Sequence, residues 1–232
     1  MALKKEGETV IISVGGSLIV PEEIDVNWIS NFKKIIDKCA SSGGYRFVII
    51  TGGGKIARKY QNAAKEIVKV ANEDLDWIGI HCTRLNAHLL RTIFIDKSYP
   101  RIIKNPEEKI KFKEKVLIAA GWKPGCSTDY DAVLLAKNFG VKKLVNLTNI
   151  DYVYDKDPRK FKDAKKIESI SWKDFRKIVG DKWDPGLNVP FDPVASKEAE
   201  KLKLEVAIMN GKNLDNFEKY LNNKKFIGTV IK

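Results

Sequence analysis

The stretch from Tyr45 to Tyr60, YRFVIITGGGKIARKY, constrains this chain more than any other. Phe47-Val48-Ile49-Ile50 is a short apolar run rich in β-branched residues, the pattern of a strand buried on both faces of a parallel sheet. Gly52-Gly53-Gly54 follows at once, and Lys55 to Lys69 then has helical spacing, with Ile56, Ala57, Tyr60, Ala63, Ala64, Ile67 and Val68 on one side. A strand that runs through glycines into a helix builds an anion site. Glycine has no Cβ, so the chain turns sharply and its backbone can touch a ligand. Unpaired N–H groups at the helix start, and the positive end of its dipole, then face that ligand. Arg58 stands one turn in, where a guanidinium can grip two phosphate oxygens. The same residues also suit a tight turn that binds nothing; Lys55 and Arg58 beside the glycines favour phosphate.

The rest of the chain repeats this arrangement. Thr9 to Val14 reads as a strand that ends in Gly15-Gly16-Ser17. Asp25 is the predicted N-cap of a helix to about Ser42, ended by Gly43-Gly44. Glu73 to Ile95 is a long helical pattern with Trp77, His81, Arg84 and His88 on one face. Lys115 to Ala120 is a predicted strand, and the loop from Gly121 leads to Ser127-Thr128-Asp129 and a helix to about Phe139. Capping chemistry alone accounts for Thr128 and Asp129 at that point. Lys143 to Leu147 is the next strand, followed by the polar and aromatic run TNIDYVYDKDP at 148–158. Ser171 caps a short helix to Val179, and Asp192-Pro193 opens another. A strand over Leu204 to Met209, a helix over Leu214 to Leu221 and a strand over Phe226 to Ile231 close the chain. Met1 to Glu8 and Gly180 to Pro190 are expected to be mobile.

Strands alternating with helices predict an α/β fold, a mainly parallel sheet with helices on both faces. The polar loops at 13–17, 51–58, 121–129 and 148–158 each follow a strand. Ligands of open α/β sheets bind beyond the carboxyl ends of the strands, so the four loops are expected to face one cleft.

Composition narrows the chemistry. The net charge of +12, from 42 basic and 30 acidic side chains, invites nucleic acid. Its lysines, however, are scattered over polar helix faces rather than gathered with aromatics, so the expected partners are anionic nucleotides and not a polymer. Cys39, Cys82 and Cys126 lack CxxC spacing, which fits a cytoplasmic protein with free thiols. No apolar run is long enough to span a membrane, and MALKKEGET has no signal core. His81 and His88 are seven apart rather than four, and no other Cys or His cluster exists, so no metal site is expected from side chains. GxxxxGK[ST] and GxSxG are both missing from the sequence. Repeated glycine turns near Lys and Arg suit several phosphates, and phosphoryl transfer needs chiefly positioning and charge neutralisation. Asp129 and Asp192 are candidates to hold lysines or metal-bound waters.

Five segments, GGGKIARKY at 52–60, DWIGIHCTRLNAHLL at 76–90, KPGCSTD at 123–129, TNIDYVYDKDPRKF at 148–161 and DPVASK at 192–197, together resemble the amino acid kinase superfamily. Their order and intervals are most similar to its archaeal-type uridylate (UMP) kinases, from about Val10 to the C-terminus. The resemblance implies a three-layer αβα sandwich and transfer of the ATP γ-phosphoryl group to UMP with Mg²⁺. It implies a single domain over 1–232, with an acceptor-side lobe at about 9–120 and an ATP-side lobe at about 121–232. By resemblance, Arg58, Asp129 and Lys55 are the catalytic candidates. Gly53, Asp76 and the loop Trp122, Lys123, Pro124, Gly125, Cys126, Ser127 and Thr128 are candidates for UMP, Asp76 at the ribose hydroxyls. Ser13, Gly15, Gly16, Ser17, Gly54, Arg58, Thr148, Asn149, Tyr154 and Asp157 are candidates for ATP. Family members are commonly hexamers, and a homo-oligomer is expected.

Three positions depart from the pattern. Ser13 stands where much of the superfamily has a lysine that neutralises the transferred group, which shifts that burden to Arg58, Lys55 or Lys197. Tyr152 replaces a glycine and is expected to crowd the nucleotide loop, and Trp122 is large for its place. Two other readings remain: a kinase for another phosphate or a carboxylate, and a non-catalytic member that binds a nucleotide or oxyanion.

Overall fold

The structure is a computed structural model that describes residues 7–42, 44–180 and 189–232. Most of the two segments expected to be mobile, and Gly43, lie outside the described residues. In chain order the elements are β1 (Thr9–Val14), α1 (Gly16–Ile19), α2 (Val26–Ser42), β2 (Arg46–Thr51), α3 (Gly54–Ile67), α4 (Asn72–Ile93) and β3 (Val116–Ala119). There follow α5 (Thr128–Phe139), β4 (Lys143–Thr148), β5 (Val153–Tyr154), β6 (Lys166–Ile167), β7 (Ser169–Ile170), α6 (Trp172–Val179), α7 (Pro193–Lys201), β8 (Glu205–Asn210), α8 (Leu214–Leu221) and β9 (Thr229–Ile231).

Seven strands form one sheet in the order β3-β2-β1-β4-β8-β9-β7. Every neighbouring pair is parallel except β8 with β9. The central strands are mainly apolar because alternate residues feed two cores. Val10, Ile12 and Val14 of β1 join one core with Phe32 and Ile36 of α2, Leu90 of α4 and Phe217 of α8. Ile11 of β1, with Val48 and Ile50 of β2, joins the other with Val133 of α5, Phe175 of α6 and Ala195 of α7. Helices therefore cover both faces, the three-layer αβα arrangement that the sequence predicts.

Caps fall where the side chains dictate. Asp25 Oδ1 accepts the Trp28 N–H at 2.8 Å, Ser171 Oγ the Asp174 N–H at 3.1 Å, and Asp192 Oδ1 the Ala195 N–H at 2.6 Å with Pro193 first in the helix. At α5 the capping oxygen belongs to Ser127, which accepts from Tyr130 N at 3.1 Å. Thr128 and Asp129 are thus free of capping duty.

Helix α3 departs from its predicted packing. Of the seven residues expected on its buried side only Ala57 is buried; Tyr60, Ile67 and Val68 are exposed. The helix does not lie on the sheet. It packs against α1 and α4, where Gln61 Nε2 donates to the Leu75 carbonyl at 2.8 Å, and the rest of its amphipathic face has no layer to cover it. The two-residue strands β5, β6 and β7 are too short for a period-2 signal to register.

Candidate active site

The sheet order locates the site. Strands β1, β2 and β3 step outwards in one direction, whereas β4 and β8 step outwards in the other, so the winding reverses between β1 and β4. A crevice at the carboxyl ends of two such strands is where open α/β sheets bind ligands. A cleft of about 600 Å³ opens there, lined by Gly15 to Leu18 after β1, Gly52 to Gly54 and Arg58 after β2, Thr128 at the start of α5, and Thr148 and Asn149 after β4. All four expected loops reach it.

Two glycine turns meet in its floor. A Cβ on Gly16 would stand 2.3 Å from the Gly52 carbonyl oxygen and 2.4 Å from Gly54 N, and one on Gly54 would stand 2.4 Å from Gly16 C. Gly54 has φ +65°, a left-handed conformation that glycine adopts without penalty. The backbones abut, which leaves the N–H groups at the starts of α1 and α3 close together. Gly53 was expected to need its missing Cβ for contact with an anion. A Cβ there points instead at Ala57 Cβ, 2.9 Å away, and at the Gly79 carbonyl oxygen, 3.1 Å away. Packing of α3 on α4 thus already demands a glycine at that position.

Arg58 projects from α3 with its Nη2 3.4 Å from Ser17 Oγ, which bridges the two glycine turns. Lys55 turns away from the cleft lining and pairs with Glu22 at 2.6 Å, where Lys59 also reaches Glu22 at 3.0 Å. These two ammonium groups hold the Glu22 carboxyl down at about 2. Tyr154 lies in β5, and Asp157 accepts both Arg159 Nε and Nη2 at 3.0 Å; neither is part of the cleft lining. Tyr152 is also outside it, its ring beneath the Lys166 ammonium at 4.8 Å.

Beneath the cleft, Ser13 Oγ is 3.4 Å and Asn146 Nδ2 3.5 Å from Asp129 Oδ1, and the Asp192 N–H donates to Asp129 Oδ2 at 3.2 Å. The side chains that face Asp129 Oδ1, Ser13 and Asn146, are uncharged. Desolvation, then the Asp192 carboxylate, raise its pKa well above the usual carboxylate range. Asp192 is shifted the same way by burial.

The expected acceptor loop is strung along α4. Asp76 Oδ2 accepts the Gly125 N–H at 2.8 Å, Thr83 Oγ1 the Gly121 N–H at 2.8 Å, and Arg84 Nη2 donates to the Trp122 carbonyl at 3.1 Å. Trp122 carries the Lys123 ammonium over its ring at 3.9 Å. From below, Asp131 Oδ2 accepts the Trp122 N–H at 3.0 Å. Asp131 is fully buried and its Oδ1 has no partner among the described residues, so burial pushes its pKa up to about 7. Cys126 is half-buried; desolvation lifts its thiol to about 11, which leaves it a poor nucleophile. Sequence reasoning passed over Thr83, Asn86, Asp131 and Asn146. The signal for each was a polar side chain inside an otherwise apolar helix or strand.

Residues 8–210 match the model of the amino acid kinase family. The chain belongs to the amino acid kinase family. Among members of known description, it is 36% identical over 229 residues to the uridylate kinase of Sulfurisphaera tokodaii, covering 96% of this chain and 98% of that protein. It is 34% identical over 227 residues to the uridylate kinase of Thermococcus kodakarensis, covering 96% and 98%. The crystal structure of uridylate kinase from Archaeoglobus fulgidus superposes with a TM-score of 0.82 at 32% identity, over 96% of this chain and 99% of that one.

Proposed function

We infer that this protein is an ATP-dependent uridylate kinase, which moves the γ-phosphoryl group of ATP to the phosphate of UMP and yields UDP and ADP. The observation that carries this reading is the pair of abutting glycine turns, with Arg58 beside them, at the β1/β4 switch point of a chain that aligns almost end to end with uridylate kinases. Two anions must be brought together before phosphorus changes partner. Backbone N–H groups of fixed direction and a guanidinium supply that positioning and charge without reorganising during the step.

In this reading Gly15, Gly16, Ser17, Thr148 and Asn149 receive the ATP phosphates, on the side built from residues after 120 together with the β1 loop. Gly53 meets the UMP phosphate, and Gly54 and Arg58 the transferred group. The Trp122 to Thr128 loop encloses UMP. Asp76 steadies that loop through Gly125 and has its second carboxylate oxygen for the ribose hydroxyls. The missing lysine at Ser13 leaves Arg58 as the cation nearest the transferring phosphoryl group.

Magnesium fits this site as a passenger of the triphosphate. The cleft is lined by backbone, hydroxyl and guanidinium groups, and no cluster of three or more candidate ligands occurs among the described residues. Mg²⁺ commonly binds through phosphate oxygens and water rather than in an all-protein cage. When bound it neutralises oxygens between the β- and γ-phosphates. We further propose a cytoplasmic homo-oligomer; the open apolar side chains of α3 and α4, Tyr60, Ile67, Trp77 and Leu85, support self-association, and no helix among the described residues is long and apolar enough to cross a membrane.

ADP release measured with a panel of nucleoside monophosphates tests the reading. UMP is expected to be the best acceptor, and dUMP much poorer, because a site that hydrogen-bonds a hydroxyl rejects the analogue without it. Equal kcat/KM for UMP and dUMP would remove Asp76 from the ribose. Turnover with a carboxylate acceptor instead would replace UMP altogether.

A further inference from the structure

Asn86 lies on α4 and is 3% exposed. Its Nδ2 donates to the Gly52 carbonyl at 2.8 Å. Gly52 is the first residue of the central turn, and its own N–H is tied to the Val14 carbonyl at 2.9 Å. The peptide from Gly52 to Gly53 is trans, since no cis bond occurs among the described residues. In a trans peptide the N–H points opposite to the C=O. The carbonyl is tied to α4 by the buried Asn86 side chain, so the Gly53 N–H is turned away from it, on a residue that lines the cleft. Among the described residues this N–H donates no hydrogen bond. Gly53 is half-buried at the start of α3, so this donor is open to an anion in the cleft.

We propose that Asn86 is a positioning residue for phosphoryl transfer: through the Gly52–Gly53 peptide plane it aims the Gly53 N–H at the phosphate oxygens in the cleft. The proposal rests on the kinase reading above. Gly52 has no side chain to hold its own peptide, and glycine tolerates either orientation of the plane. Without Nδ2, rotation turns the carbonyl oxygen towards an anionic ligand and withdraws the donor. An N–H aimed in advance at developing charge is worth far more than one that must first reorient.

Asn86→Ala removes the donor. Asn86→Asp keeps the shape and makes the effect titratable, because a protonated carboxyl can donate to the Gly52 carbonyl whereas a carboxylate repels it. Burial beside a carbonyl raises the pKa of such a carboxyl. Asn86→Ala is expected to lower kcat/KM roughly 10²-fold, as for the loss of one preorganised donor. Relative to wild type, Asn86→Asp should recover as pH falls from about 8 to about 5.5 while Asn86→Ala does not. A purely structural tie would lower the melting temperature of both variants and leave kcat/KM per folded protein at the wild-type value at every pH.

The second readout is the Gly53 amide in protein labelled with ¹⁵N-glycine. UMP is expected to move its proton signal downfield in wild type, and that shift should vanish in Asn86→Ala. A folded Asn86→Ala protein with wild-type kcat/KM overturns the proposal. If neither variant folds, a wild-type Gly53 amide that ignores UMP overturns it, and one that moves supports the aim of the donor. Wild-type protein that transfers nothing to any monophosphate refutes the kinase reading instead, and the Gly53 amide is then read against inorganic pyrophosphate.

Discussion

Gly16→Ala isolates the contact on which the cleft depends. The new Cβ would stand 2.3 Å from the Gly52 carbonyl oxygen, and Cβ contacts seldom fall below 3.4 Å. Both neighbours are backbone atoms, so neither can swing aside as a side-chain tip would. The two turns must therefore part by roughly 1 Å, and overpacking of this kind costs about 1–3 kcal/mol. For a chain of this length each kcal/mol lowers the melting temperature by about 2–4 °C. The effect on catalysis should be larger, since a displacement of about 1 Å in the donors can cost on the order of 10²-fold in rate. Steady-state ADP release and thermal unfolding on one preparation separate the two effects. Gly140→Ala is the control: Gly140 ends α5 with φ +67°, and a Cβ there meets nothing within 4 Å. Left-handed strain should cost that variant about 1–2 kcal/mol with kcat unchanged. A folded Gly16→Ala protein with wild-type kcat would show that the abutment of the glycine turns is architecture and not active site.

Arg58→Ala should lower kcat about 10²-fold or more, and Arg58→Lys should restore only part because a fork becomes a point charge; normal turnover in both would place Arg58 outside the reaction. Asp76→Ala frees the Gly125 N–H and should raise the KM for UMP while leaving that for ATP unchanged, and an unchanged UMP KM would contradict the loop assignment. Asp131 titrates at about 7 in the folded protein against 3.8 for a free side chain. The folded state therefore holds its proton more tightly, and stability is lost as pH rises between those values. Asp131→Asn keeps an oxygen for Trp122 N and removes the titration, so in urea unfolding its advantage over wild type should widen from about pH 5 to about pH 8; a gap that is constant or narrows would refute the buried-carboxyl argument.

The strands and loops of this site were legible because their signals are local. Val10 to Ile12 and Phe47 to Ile50 are apolar on both faces, and each strand runs into glycines, so the buried strand and the tight turn could be read from a few residues. The same locality limits the reading. Whether Lys55 enters the cleft depends on Glu22, a loop residue 33 positions earlier, and the sequence places no constraint on that pairing. Tyr60, Ile67 and Val68 have the spacing of a buried face, yet burial needs a facing layer, and α3 packs on α4 and α1 rather than on the sheet. Gly53 stands out in the sequence as part of a glycine run, but a glycine reports only that a Cβ is unwelcome, not which neighbour excludes it. Thr83, Asn86 and Asp131 act through hydrogen bonds to the backbone of distant loops. Such bonds leave no trace in spacing, only polar residues among apolar ones.

The central claim is transfer between two bound nucleotides. A single-turnover reaction with enzyme in excess, ATP labelled in its γ-phosphate, Mg²⁺ and unlabelled UMP tests it most directly. The account predicts that the label appears in the β-phosphate of UDP, with one ADP formed for each UDP and no transfer when UMP is omitted. Label recovered as inorganic phosphate at the same rate with or without UMP would contradict it, as would ATP that remains intact in a folded protein that binds both nucleotides.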